Sequence, residues 1–282
     1  MRRRRFWLVA SGLLFAAVAL YWWWNPRSPV PPTEIYQGVT YGCEQLEGAE
    51  DGRGLVHWVR VDLTAPGIEL FVTPLDPEAV KRGWQYRLQH TATVLKREQL
   101  AVATNAVYFT SSDPWWIRRT GDFARSDEAT IANYVVSHVP DSTYMLCFDD
   151  HLVPCIERSW PPKDSMPRRS RWGLGDQGGP RLWHKQIYEG TPRKPIDART
   201  AVGIDGEKRL LFLAVFENAS ERRALEKLVQ LGAVDGMLVD GGTSTTMVIG
   251  SKAHGVRPGV LFGDWRPVAT HFGIRAREHL QR

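Results

Sequence analysis

Asp240-Gly241-Gly242-Thr243-Ser244-Thr245-Thr246 is the stretch of this chain best equipped for chemistry. The apolar run Met237-Leu238-Val239 ahead of it reads as a buried strand, which delivers a carboxylate onto a glycine turn. Without Cβ atoms, Gly241 and Gly242 let the backbone turn sharply and bring its N–H groups close to a ligand, and hydroxyls follow from Thr243 to Thr246. Such a turn suits sugar, phosphate or metal oxygens. The same residues also compose an ordinary Asp-Gly loop between two core strands, so companions elsewhere must decide. Leu100 to Thr104 is a second short apolar run, and it ends on the amide of Asn105. Ala198 to Asp205 is a third, with Arg199 at its mouth and an Asp205-Gly206 turn behind it. Three polar residues at three strand ends suggest one shared pocket.

The chain resembles the phosphodiester glycosidase family through an ordered set of segments. These are Val61-Asp62-Leu63, Ala103 to Phe109, Gly178-Gly179-Pro180-Arg181-Leu182, Arg199 to Ile204, Leu231-Gly232-Ala233, Asp240 to Thr246 and Arg266-Pro267-Val268, and they span most of residues 36 to 276. Members of that family include an enzyme that removes N-acetylglucosamine from phosphodiester-linked mannose and bacterial proteins linked to exopolysaccharide. The resemblance implies a single catalytic domain acting on glycosyl phosphodiesters. Two departures narrow the space near the expected pocket: Asn105-Ala106-Val107 stands where the family usually has Asn-Gly-Gly or similar small residues, and Thr243 stands where a third glycine is usual.

Cleaving such a bond passes through an oxocarbenium-like state, positive at the sugar and increasingly negative on the departing phosphate. Asp240 can face the sugar as nucleophile, electrostatic stabiliser or base for water, while Arg199 can grip phosphate oxygens as a bidentate fork. A phosphate monoester is already a good leaving group, so positive neutralisation can replace the protonating second carboxylate of ordinary glycosidases. The expected catalytic residues are therefore Asp240, Arg199 and Asn105. Gly241, Gly242, Ser244, Thr245 and Glu217 are the expected substrate contacts. Asp62 is a further acid, ranked behind Glu217. Each has a bland alternative: Arg199 pairing with Asp197 or Asp205, Asn105 satisfying a local turn, Ser244 and Thr245 as ordinary strand residues. His57, His90 and His271 have apolar flanks and read as core or edge histidines. No metal and no cofactor is expected, with a divalent cation left open; there is no CxxC and no Cys/His cluster with zinc spacing. Gly173 to Gly178 matches GxGxxG literally, but Gly179-Pro180 follows where a helix should begin, so it reads as a turn before the strand Arg181-Leu182-Trp183.

The elements that must position these residues suggest an α+β fold: one domain with a mixed, twisted β-sheet and a few packed helices, preceded by one transmembrane helix. Val56 to Leu63 and Ile68 to Thr73 read as a hairpin around Ala65-Pro66-Gly67, and Thr91 to Gln99 as a short helix. Thr110 to Ile131 has no sustained period and reads as a long loop in which Trp115, Trp116, Arg118 and Arg119 could cover the pocket. Thr143 to Phe148 and His151 to Ile156 form another hairpin candidate. Ser220 caps a helix with Leu225, Leu228 and Val229 on one face and Gly232 at its end. Ser244 to Ile249 and Val268 to Ala276 supply further strands, with Gly250 to Asp264 as a flexible connection.

The whole chain of 282 residues carries a formal charge of +5. Arg2, Arg3, Arg4 and Arg5 account for four of the 36 basic residues, leaving 32 against 31 acidic ones, so the basicity belongs to the N-terminus and no nucleic-acid face is implied. Residues 1–5 read as a cytoplasmic tip. Phe6 to Trp24 is uncharged and close to the roughly 20 residues a helix needs to cross a bilayer, with Tyr21 to Trp24 as an aromatic belt. It reads as a signal anchor, because Leu20 to Trp24 is bulky where a cleavage region should be polar; secretion after cleavage is the alternative. Residues 25–34 read as a proline-rich linker and 35–282 as the domain, lying outside the cytoplasm, or in the periplasm of a Gram-negative cell. Cys147 and Cys155 flank Asp149-Asp150 and could approach each other, leaving Cys43 outside the pair; three buried thiols are the alternative. The expected partners are a glycan or sugar-phosphodiester substrate and, through the N-terminal helix, a membrane. A non-catalytic glycan-binding module and an assembly protein of the envelope are the rival functions.

Overall fold

The computed structural model describes residues 29–46, 54–114, 116–137, 144–158, 170–176, 179–190 and 195–279. The expected cytoplasmic tip, the 6–24 span and Trp115 lie outside them. Among the described residues no helix is long and apolar enough to cross a membrane.

Strands dominate. Eight form the largest sheet, in the spatial order Val30–Tyr36, Val39–Gln45, Leu55–Asp62, Leu210–Ala219, Asp197–Ile204, Asp235–Leu238, Arg181–Trp183, Gln186–Tyr188. A five-stranded sheet runs Gly259–Phe262, Met247–Ile249, Val102–Asn105, His271–Arg275, Glu69–Val72, and a second runs Val135–Val136, Thr130–Ala132, Trp172–Asp176, Tyr144–Phe148, Pro154–Arg158. Tyr86–Arg87, Phe123–Ser126 and Phe109–Ser111 make a small third. The main core lies between the eight-stranded sheet and the two five-stranded ones, where Val59, Val202, Leu213 and Met237 meet Leu70, Val102, Leu146, Phe148, Ile249 and Phe272. The eight-stranded sheet and the first five-stranded sheet are each backed by a helix. Glu221–Leu231 buries Ala224, Leu225 and Leu228 against Ala201, Phe212, Phe216 and Leu238, and Thr91–Arg97 buries Val94 and Leu95 against Phe71, Ala103 and Val248.

The expected mixed sheet is corrected: every pairing among the described strands is antiparallel. Parallel neighbours need crossover connections of a dozen residues or more, whereas antiparallel ones can be joined by short turns, as several pairs are here. His184 and Lys185, with φ of 49° and 63°, join Arg181–Trp183 to Gln186–Tyr188 in the left-handed conformation that tight hairpins favour. The expected 56–63/68–73 hairpin does not form either. Leu55–Asp62 is buried along nearly its whole length and pairs with Val39–Gln45 and Leu210–Ala219, while Glu69–Val72 joins His271–Arg275 in the facing sheet. The Ala65-Pro66-Gly67 turn is present but carries the chain between layers. Thr110 to Ile131 is not one long loop, since it holds strand residues that pair outside the segment. Gly250 to Asp264 likewise contains the strand Gly259–Phe262. Gly173 and Gly175 sit in a strand rather than a turn, paired with Tyr144–Phe148, and a Cβ at Gly173 would press Met145 Sδ at 3.0 Å and Ile131 Cδ1 at 3.1 Å. The proline linker ends early: Val30–Tyr36 is an edge strand, where the missing N–H groups of Pro31 and Pro32 are tolerated. Ser244 to Ile249 begins as a single 3₁₀ turn and becomes a strand only at Met247.

Other expectations hold. Ser220 Oγ accepts from the Arg223 N–H at 3.3 Å, and Gly232 ends that helix at φ 112°. The hairpin Tyr144–Phe148/Pro154–Arg158 sets Cys147 opposite Cys155, and the two form a disulfide with Cα atoms 5.1 Å apart. Cys43 is buried and takes no part in it.

Candidate active site

Asp240 stands where the chain changes sheets. Asp235–Leu238 pairs with Asp197–Ile204, and the Val239 N–H still donates to the Thr200 carbonyl at 2.9 Å. One residue later the Asp240 N–H donates instead to the Ala106 carbonyl at 2.9 Å, on the continuation of Val102–Asn105 in the facing layer. After the Gly242–Ser244 turn, Met247–Ile249 enters that layer beside Val102–Asn105. The carboxylate is thereby held at the seam between two sheets, only 5% exposed. Gly241 is required there, because a Cβ would sit 2.8 Å from the Ala198 carbonyl oxygen. The same position lies 3.6 Å from Arg199 Nη1, which places that guanidinium against the turn.

Asn105 fastens the turn from the other side. Its Nδ2 donates to the Asp240 carbonyl at 2.5 Å, and its Oδ1 accepts from the Thr200 hydroxyl at 2.8 Å and the Thr246 N–H at 3.1 Å. Being 1% exposed and bonded at both ends of its amide, it ties three segments together. Side chains alternate along a strand, so Thr200 reaching Asn105 sends neighbouring Arg199 to the opposite face. Asn105 and Arg199 therefore reach one turn from opposite faces of the sheet. Thr245 is fully buried, and its hydroxyl points into protein without a hydrogen-bond partner among the described residues.

Two further cations lie close to the Asp240 carboxylate. Arg266 Nη2 donates to the Ser244 hydroxyl, and its guanidinium stands 5.7 Å from the centroid of the Phe109 ring; Arg118 stands 5.0 Å from the same ring. Burial pulls the Arg118 pKa down, the positive charge of Arg266 pulls it further, and Asp240 and Asp127 resist. Burial also lowers the Arg266 pKa, again against the attraction of Asp240. The Nε of each is buried with no hydrogen-bond partner among the described residues. Two like charges held this close beside one carboxylate are a ready anion site. Sequence reasoning assigned Arg118 only to a pocket cover and Arg266 only to a matched segment. The arginines in and near aromatic runs, Trp115-Trp116-Ile117-Arg118 and Trp265-Arg266, were the available signal. Trp116 and Trp265 themselves are exposed.

Glu217 lies at the same sheet end, since Arg199 is opposite Phe216 in the adjoining strand. Two strand spacings put it about 10 Å from the Asp240 strand. Its carboxylate reaches His57 Nε2 at 3.4 Å, while His57 Nδ1 is 2.9 Å from the Tyr41 hydroxyl. Asp62 is at the far end of Leu55–Asp62, opposite Leu210, and its carboxylate accepts from the Thr64 hydroxyl at 2.6 Å. Burial favours its neutral form, but the Thr64 hydrogen bonds and nearby Arg209 and Arg60 hold its pKa below the usual range. Among the described residues no group of three or more His, Cys, Asp or Glu side chains could hold a metal ion.

The fold is similar to the zebrafish N-acetylglucosamine-1-phosphodiester alpha-N-acetylglucosaminidase catalytic domain auto-inhibited by its pro-peptide, with a TM-score of 0.61 and 15% identity over 89% of this chain and 87% of that one. It is also similar to a hypothetical protein from Synechocystis, with a TM-score of 0.52 and 15% identity over 85% of this chain and 62% of that one. No curated protein matches the sequence. Residues 99–275, from just before the Asn105 strand to the last strand of the facing sheet, match the model of the phosphodiester glycosidase family. By that match over more than half its length, the chain belongs to the phosphodiester glycosidase family and is a hydrolase.

Proposed function

We propose that this hydrolase cleaves a sugar-1-phosphodiester or a related surface-glycan linkage at the carbon–oxygen bond of the sugar. The supporting observation is the placement of Arg118 and Arg266 over one ring, beside the buried carboxylate of Asp240. The negative group faces the sugar as positive charge develops there, and the two guanidinium groups take the phosphate as it departs. Arg199 adds positive charge from behind Gly241. Asn105 acts as a positioning residue, fixing the backbone that carries Asp240, and Ser244 holds Arg266 in place. The phosphate leaves with its bonding electron pair, and water supplies the hydroxyl that ends on the sugar.

Anchorage through residues 6–24, with the domain outside the cytoplasm, belongs to the same reading. It is supported by Arg2 to Arg5 preceding an uncharged span and by the Cys147–Cys155 disulfide, which suits an oxidising compartment. Fractionation should find the full chain with membranes, and protease should reach the domain from the outer side only. A mature soluble form beginning at Leu20 would instead show cleavage.

The chemistry is tested by hydrolysis of a panel of sugar-1-phosphate alkyl diesters in ¹⁸O-water. The label should enter the free sugar and leave the alkyl phosphate unlabelled. Asp240→Asn should lower turnover about 10³-fold with the fold retained by circular dichroism. Label in the phosphate, or near-normal turnover by the folded variant, overturns the assignment.

A further inference from the structure

A second crossing between the layers lies beside the Asp235–Leu238 strand. Trp172–Asp176 ends in one five-stranded sheet with Asp176 opposite Tyr144; five residues later Arg181 opens a strand of the eight-stranded sheet, flanked by Met237 and Tyr188. A cavity of about 160 Å³ lies there, lined among the described residues by Tyr144, Arg181, Trp183 and Tyr188. Arg181, Trp183 and Tyr188 share one face of the sheet, because paired residues and alternate residues point the same way. Among the described residues the Arg181 guanidinium finds ring faces as its partners, Tyr144 at 3.7 Å and Tyr188 at 5.6 Å.

We infer that this cavity binds one sugar ring carrying an anionic substituent, a carboxylate, sulfate or phosphate, as a subsite for the glycan whose linkage is cleaved at Asp240. Size is the first argument: a cavity of about 150 Å³ accepts a single six-membered ring. The lining is the second. A cluster of rings that merely closed the core would be buried, yet Tyr188 is 41% exposed and the cavity stays open between three aromatic side chains. Aromatic faces meet the C–H face of a pyranose, and a guanidinium stacked on a ring keeps its in-plane N–H groups available for a planar or tetrahedral anion. Among the described residues Arg181 is the charged side chain that lines the cavity. Position is the third. Arg181 is opposite Met237, three residues before Asp240, which at strand spacing is about 10 Å. That separation is within the length of one oligosaccharide.

The subsite rests on the glycosidase reading for its purpose, but binding can be measured without turnover. The full chain would be tested against arrayed uronate-, sulfate- and phosphate-bearing oligosaccharides beside their uncharged counterparts, followed by calorimetric titration of the best ligand. Arg181→Ala and Trp183→Ala should each weaken the anionic ligand about tenfold or more, and Arg181→Lys should recover part of the loss. Both alanine variants should cleave a minimal sugar-1-phosphate alkyl diester as the parent does, with the defect confined to KM on anionic oligosaccharide substrates. Loss of the minimal activity in the parent would defeat the glycosidase reading alone. Equal binding of charged and uncharged glycans, preference for an acidic phosphopeptide, or undiminished binding by the folded alanine variants would overturn the subsite.

Discussion

Asn105 and the Arg118 and Arg266 pair reach the same turn and do opposite things there. The amide of Asn105 is used at both ends, by the Asp240 carbonyl, the Thr200 hydroxyl and the Thr246 N–H. The two arginines are half-buried, repel each other and keep an Nε apiece unbonded among the described residues. A polar group satisfied inside the protein lowers the energy of the fold. One left charged, crowded and partly desolvated raises that energy until a ligand completes it. The difference separates the residues that hold the site from those that meet the substrate.

The comparison is broken most severely by removing the cations. Arg118→Ala and Arg266→Ala should each lower kcat/KM by about 10²- to 10³-fold. The melting temperature of Arg118→Ala should stay level or rise as repulsion is relieved. Inorganic phosphate should raise the melting temperature of the parent and do so less in either variant. A large loss of stability in Arg118→Ala, or unchanged catalysis in both, would erase the distinction.

Asn105→Ala should behave in the reverse manner. It strands three buried groups, each costing about 1–3 kcal/mol, so denaturant midpoints should fall clearly, and activity should fall with the folded fraction and the looseness of the turn. A stable Asn105→Ala protein inactive only in the chemical step would make Asn105 a direct participant.

A smaller, pH-dependent effect extends the comparison to His271, opposite Asn105 in the next strand. Burial, opposed by the Gln89 carbonyl and helped by electrostatic repulsion from Arg97 and from the side of His90, lowers its pKa from 6.5 to about 3. Its Nε2 lies 3.2 Å from that carbonyl and its Nδ1 3.1 Å from the Thr73 hydroxyl. Below pH 6.5 the unfolded chain takes up the proton first, so the stability contributed by the neutral ring is complete above that pH and is lost as pH falls toward 3. Unfolding titrations of the parent and His271→Gln should therefore converge on acidification. Parallel curves would show that His271 is not the group responsible.

Local order could be read from the chain because local chemistry determines it. Ser220, the apolar spacing through Leu228 and Gly232 define a helix with no help from elsewhere. Asp149-Asp150 likewise marks the hairpin that opposes Cys147 to Cys155. The residues at strand ends, Asn105, Arg199 and Asp240, were also visible, since polar groups interrupt apolar runs there.

Pairing partners were not visible. Leu55–Asp62 offers the same apolar edge to any neighbour, and it was Leu210–Ala219, far along the chain, that took the place expected for Ile68 to Thr73. Nor could sequence show that Asn105 spends its amide on the Asp240 carbonyl, or that Arg118 and Arg266 share the Phe109 ring. By itself the sequence determined the carboxylate on its glycine turn, because residue type and neighbouring backbone suffice for that. Which side chains hold that turn and which face the substrate was decided only by tertiary structure, because burial, repulsion and hydrogen-bond satisfaction are properties of groups brought together across the chain.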